Sequence, residues 1–117
     1  MYKIILTFSC LLFFSCFTSK NVIFEIQNLS DFQLENLLIS TSSGESNSYL
    51  LVQKSCKLSS TLNLDNVPKT DGDFYIEYYI NGEMKTKKFG YYSNGSPLAN
   101  NYYIVISNDD IIIKETH

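Results

Sequence analysis

Few side chains among these 117 residues can do chemistry. The single histidine is His117, the last residue, where a chain end gives an imidazole no fixed scaffold; a Ser-His-Asp triad or a His-containing metal cage therefore has no centre to form around. Carboxylates pair at Asp71 and Asp73 and at Asp109 and Asp110. Calcium needs roughly six to eight oxygens, and neither pair has the further acidic ligands of an EF-hand loop, so both read as solvated turn acids. Carboxylate-only acid-base chemistry on Asp71 and Asp73 is the one enzymatic route left open. The expectation is a protein with no catalytic residues, no cofactor and no metal. Arginine is absent, which removes bidentate clamps on phosphate or carboxylate.

Cysteine is the other reactive type, at Cys10, Cys16 and Cys56. Met1-Tyr2-Lys3 supplies one positive charge, and an apolar run over residues 4–14 follows, interrupted by Thr7, Ser9 and Cys10. This is the layout of a secretory signal, and it stops well short of the roughly 20 apolar residues that a spanning helix needs. The run ends in Leu12-Phe13-Phe14-Ser15-Cys16, which resembles the lipobox of bacterial lipoproteins. Ser15 matches the small residue before the obligatory cysteine; Phe13 stands where that family usually has leucine. The resemblance implies a diacylglyceryl group on Cys16 and cleavage before it. Residues 1–15 are then the signal, 16–21 the lipidated cysteine with a short linker, and 22–116 the folded domain. Acyl chains contribute about 0.8 kcal/mol per buried methylene, so the lipid alone would hold the domain at a membrane. Phe17-Thr18-Ser19-Lys20 lacks the acidic residues that can mark surface display in such families. A periplasm-facing outer-membrane anchor in the bacterial cell envelope is the expected location.

Cys10 would leave with the signal and Cys16 would carry lipid, which leaves Cys56 with no partner for an internal disulfide. Its phase with Leu58, Leu62 and Leu64 predicts a buried, inert thiol. Without the signal, eight lysines face twelve acids, a net charge of −4 that makes nucleic acid a poor partner.

The hundred or so remaining residues suffice for one core, and the 44% apolar and 15% aromatic content argues against disorder. Beyond Lys20 the hydrophobic pattern has period 2, broken by turn residues about every ten positions, which predicts an all-β fold. The expected architecture is a single antiparallel β-sandwich of seven or eight strands, immunoglobulin-like or transthyretin-like. Candidate strands are residues 22–28, 33–41, 49–53, 57–64, 74–80, 84–89, 102–107 and 110–115. Asp71-Gly72-Asp73-Phe74-Tyr75 with Ile76-Glu77-Tyr78 resembles the turn leading into an aromatic strand in immunoglobulin-like sandwiches, although the cysteine pair and tryptophan of antibody domains are missing.

Two hairpins can be set in register. A two-residue turn at Asn81-Gly82 would place Lys85 and Lys87 on the apolar face, so a three-residue turn is expected, with both lysines beside Tyr75, Glu77 and Tyr79 on the outward face. A turn at Asn108-Asp109 pairs Ile106 with Ile111, Val105 with Ile112 and Ile104 with Ile113, and these doubly apolar strands should be central.

The stretch over residues 89–98 is the most suggestive for binding. Adjacent tyrosines in a Gly-, Asn- and Ser-rich loop offer contact area at low entropic cost, which nominates Tyr91, Tyr92, Asn94 and Pro97 as partner-binding residues. The competing expectation is that Tyr91 or Tyr92 folds back over the sandwich end. The ladder Tyr75, Glu77 and Tyr79 is a second surface suited to sugars or proteins. The leading expectation is a non-enzymatic, lipid-anchored envelope protein serving as an interaction or structural module for a protein or glycan. The alternatives are a small periplasmic inhibitor or immunity-type protein, and a secreted sandwich without lipid.

Overall fold

Alternation sets the inward face of each strand. In β1 (Asn21–Asn28), Val22, Phe24, Ile26 and Asn28 are buried while Ile23 and Glu25 face out. The same rule holds in β4 (Lys57–Asn63), β5 (Gly72–Ile80) and β8 (Asn101–Ile106), and the remaining strands are β2 (Leu34–Thr41), β3 (Ser46–Val52), β6 (Glu83–Ser93), the short β7 (Ser96–Pro97) and β9 (Ile111–Thr116). These elements belong to a computed structural model that describes residues 20–116. The segment expected to be a signal, Cys16 and His117 lie outside the described residues.

The strands form two sheets, ordered β4-β1-β8-β9 and β3-β2-β5-β6-β7. Phe24, Phe74, Phe89, Tyr92 and Tyr102 make an aromatic cluster between them, with Phe24 ring centroids 5.4 Å from Phe74 and 5.5 Å from Tyr102. The fold is the expected all-β sandwich, with nine strands among the described residues. One pairing departs from the antiparallel pattern: β1 runs parallel to β8, with Phe24 opposite Tyr102. An immunoglobulin sandwich keeps its first two strands in one sheet. Here β1 and β2 lie in different sheets, which departs from the immunoglobulin order.

The Asn81-Gly82 connection corrects the sequence-based register. Ile80 pairs with Glu83 and Ile76 with Lys87, so the turn has two residues, not three. Asn81 and Gly82 take φ of 49° and 78°, the left-handed pair that a type I′ turn demands and that matches strand twist. Lys85 and Lys87 tolerate the inward phase because β6 lies at the open side of the sandwich. Lys85 meets Glu83 at 3.4 Å, and Lys87 Nζ donates to the carbonyl of Ile111 at 3.1 Å. Met84, Thr86 and Lys88 take the outward positions beside Tyr79, Glu77 and Tyr75 instead.

The last hairpin has the expected register throughout. β8 is central, but β9 is an edge, and Ile112 is exposed on it. Three isoleucines in a row mark β-propensity, which does not distinguish a central strand from an edge packed on one face.

The chain enters the fold at one end, where Leu64 N donates to Lys20 O at 2.9 Å. The starts of β1, β5 and β8 and the β2–β3 and β6–β7 turns gather at this end. The β1–β2, β3–β4, β5–β6 and β8–β9 connections lie at the opposite end. There buried Asn28 is a hub: its Nδ2 donates to Phe32 O and Val52 O, and its Oδ1 accepts from Ser30 N and Ser30 Oγ. Asp31 and Asn108 bond each other twice, tying the β1–β2 loop to the final hairpin.

Candidate functional site

The stretch nominated for binding is a hairpin. β6 continues to Ser93, Asn94-Gly95 forms a two-residue turn with φ of 53° and 75°, and β7 returns with Pro97 opposite Tyr92. Gly90, at φ 68°, accommodates one extra residue in β6: Phe89 pairs with Phe74 but Tyr92 with Gly72. That bulge reverses the phase of the two tyrosines. Tyr92 turns inward and is fully buried, its ring 5.6 Å from Phe74 and its hydroxyl bonded to those of Ser42 and Ser43. A hypothetical Cβ on Gly72 would collide with Tyr92, so that glycine makes room for the ring. Tyr92 is thereby removed from the partner-binding set, because a buried ring offers no contact area.

Tyr91 is 42% exposed. Its hydroxyl donates to Asp71 Oδ2 at 2.8 Å, and the Asn94 backbone donates to Asp71 Oδ1 at 3.0 Å. Both bonds hold the Asp71 carboxyl below its ordinary range, the Tyr91 bond most strongly, and the same bond raises the Tyr91 phenol. Asp71 therefore fixes the hairpin. Asn94 serves through its backbone, and Pro97 is half-buried. Of the four nominated residues, only Tyr91 presents an aromatic surface.

Cys56 is exposed, contrary to the buried thiol expected. It lies in the β3–β4 turn, where its backbone bonds Gln53 and Asn28, and strand phase does not extend to it. No group of three or more potential metal ligands exists among the described residues.

A surface of which the sequence nominated only Tyr79 lies at the end opposite Lys20. Cross-strand pairs Leu51–Glu35, Glu35–Tyr79 and Tyr79–Met84 set one row across four strands on the outer face of the larger sheet. Leu51, Tyr79 and Met84 are exposed, and Leu50 is 76% exposed. An extra residue in β2 relative to β5, between Glu35 and Leu38, with Asn36 at φ 49°, disturbs the pleat beside Leu50. Leu29 and Phe32 add exposed apolar surface at this end. The smaller sheet carries an open trough of about 430 Å³, lined by Glu25, Gln27, Lys57, Ser59, Tyr103 and Val105 among others.

No family model and no curated protein matches the sequence. The chain is similar in fold to a protein from Eubacterium rectale solved by NMR, at a TM-score of 0.57 and 12% identity, over 84% of this chain and 90% of that one. At that identity the likeness concerns the fold.

Proposed function

We propose that the chain is a non-enzymatic, lipid-anchored protein of the bacterial cell envelope, and that its sandwich is an interaction module presenting the end opposite Lys20 to a partner protein. One observation carries this reading. The chain enters at one end, while Leu29, Phe32, Leu50, Leu51, Tyr79 and Met84, six of the eleven exposed large hydrophobic residues described, gather at the other. Exposed apolar clusters of this kind are typical of interaction sites.

The tether makes the polarity matter. From Cys16 to Lys20 the chain can reach at most about 14 Å, whereas the eight residues of β1 extend about 26 Å. An anchor at Cys16 therefore cannot let an upright domain invert. Whatever meets the apolar end approaches from the side away from the lipid. The inhibitor or immunity-type alternative uses the same surface and differs only in what is bound.

The test pairs two readouts. Metabolic palmitate labelling should mark the wild type and vanish in Cys16→Ala. A photo-crosslinker replacing Tyr79 should capture protein in the envelope where one replacing Tyr91 does not. Absence of label contradicts the anchor, and equal capture at both positions contradicts the polarity.

A further inference from the structure

The sandwich has four open strand edges, and they are unequally guarded. Free edges offer unpaired N–H and C=O groups, which natural proteins blunt with charge or covering side chains. On β4, Thr61 O accepts from Asn47 Nδ2 at 2.7 Å, and Lys57 adds a charge. On β9, Lys87 covers Ile111 O, and Lys114 and Glu115 stand in the strand. β6 carries Glu83, Lys85, Lys87 and Lys88 and is paired at its end with β7. β3 reads Ser-Asn-Ser-Tyr-Leu-Leu-Val, with neither charge nor proline.

The hairpin with β2 settles which β3 groups point outward. Thr41 N donates to Glu45 O at 2.8 Å, and hydrogen-bonded pairs alternate along an antiparallel ladder. In the observed register, Asn47, Tyr49 and Leu51 bond towards β2, and the main-chain groups of Ser46, Ser48, Leu50 and Val52 turn away. Asn28 Nδ2, reaching Val52 O from outside at 3.2 Å, agrees with that assignment. Ser46, Ser48 and Leu50 are left as a strand-spaced row of donors and acceptors, flanked by exposed Leu50 and Leu51.

We propose that this edge receives an extended segment of a partner protein as a sixth strand of the larger sheet. The inference deepens the interaction reading above by naming the partner's chemistry. A row of main-chain groups at strand spacing is matched by another extended backbone, and apolar pockets beside it select alternate side chains. A segment without acidic side chains fits, because a carboxylate laid against Leu50 and Leu51 would lose hydration and meet Glu35, which pairs with Leu51. Self-pairing fits less well. Two copies joined antiparallel through β3 with their strands upright would stand head to tail, with one Lys20 end about 26 Å further from the membrane than the other, beyond the reach of a tether of about 14 Å.

The test uses the chain as purified from membranes, labelled with nitrogen-15, and a spin-labelled peptide of alternating threonine and valine. Amide signals of Ser46, Ser48 and Leu50 should broaden first. Leu50→Lys should weaken peptide binding about tenfold, equivalent to 1.4 kcal/mol. Leu50→Pro removes an outward N–H while leaving the β2 ladder in place, and it should abolish binding; should that variant misfold, Leu50→Lys decides. Broadening centred on β9 or spread over the surface overturns the proposal, as does indifference to Leu50→Lys. A dimer in sedimentation that Leu50→Lys dissociates overturns it in favour of a second copy. Loss of palmitate label would refute the anchor while leaving the peptide result to be read independently.

Discussion

Tyr91→Ala and Tyr92→Ala should behave as substitutions in two different environments, although the residues are adjacent. Tyr92 is fully buried, packs on Phe74 and binds two serine hydroxyls. Truncating a buried aromatic ring costs about 3–5 kcal/mol, a large part of the roughly 5–15 kcal/mol that holds a domain folded. With a urea dependence of roughly 1–3 kcal/mol/M, a loss of about 4 kcal/mol lowers the unfolding midpoint by roughly 1–4 M. Tyr91 is partly exposed and its bond to Asp71 is on the surface, so its truncation should change stability by less than about 1 kcal/mol. Urea titration of the two single variants, followed by far-ultraviolet circular dichroism, measures the difference. Equal midpoints would refute the assignment of Tyr92 to the core. The double variant is unsuitable for testing binding, since it would mainly report unfolding.

Tyr102 is also buried, but its hydroxyl makes no full hydrogen bond and has only weak polar contact with the Tyr91 backbone. Tyr102→Phe should therefore hold or raise stability by about 1 kcal/mol, while Tyr92→Phe should lose a similar amount; thermal melts showing the same loss for both would contradict this. Burial, and secondarily the Asp110 charge, push the Tyr78 phenol up to about 12. Its contribution to stability is complete below the unfolded value of about 10 and is lost as pH rises towards 12, so urea titrations on either side of that window should show wild-type stability falling relative to Tyr78→Phe, whose ring cannot ionise; a parallel fall in both would contradict this. Tyr91→Phe should raise the Asp71 pKa towards the ordinary carboxylate range, read by carbon-13 titration, because the Tyr91 bond is the main cause of its depression. Native Cys56 should react completely with a disulfide reagent without denaturant; protection would contradict its exposed position.

Where a rule of period 2 applies without interruption, the sequence carries the structure well. The strand phases of β1 and β5 and the register of the last hairpin follow from alternation and a turn pair. It fails where one extra residue enters a strand. At Gly90 the bulge exchanges the faces of Tyr91 and Tyr92, and a glycine beside two tyrosines reads equally as a flexible loop. At Asn36 the added residue disturbs the pleat beside Leu50, without a glycine to mark it. The two-residue Asn81-Gly82 turn was legible from its dipeptide, but requiring lysines to avoid the inward phase outweighed it. That requirement holds for a covered face, and β6 lies at an open side where Lys87 reaches a main-chain carbonyl. Asn28 was hidden by its type, because its four bonds depend on Val52, Ser30 and Phe32 meeting in space.

The end of the sandwich where the chain enters carries more acid than base, and this bears on how an anchored domain would stand. Glu45, Asp65, Asp71 and Asp73 lie at the end where the chain enters, against Lys20 and Lys69. An anionic leaflet repels such an end with about 1 kcal/mol per charge close to the surface, and the repulsion fades over a Debye length of about 8 Å. A tether of about 14 Å is long enough to hold the acidic end outside that layer and too short to reverse a strand of about 26 Å. Repulsion and tether then act in the same direction. On the proposed anchor, the lipid would keep the domain at the membrane, the carboxylates would keep its entry end from settling on the headgroups, and the edge of β3 with Leu50 and Leu51 would be left where an extended segment can reach it.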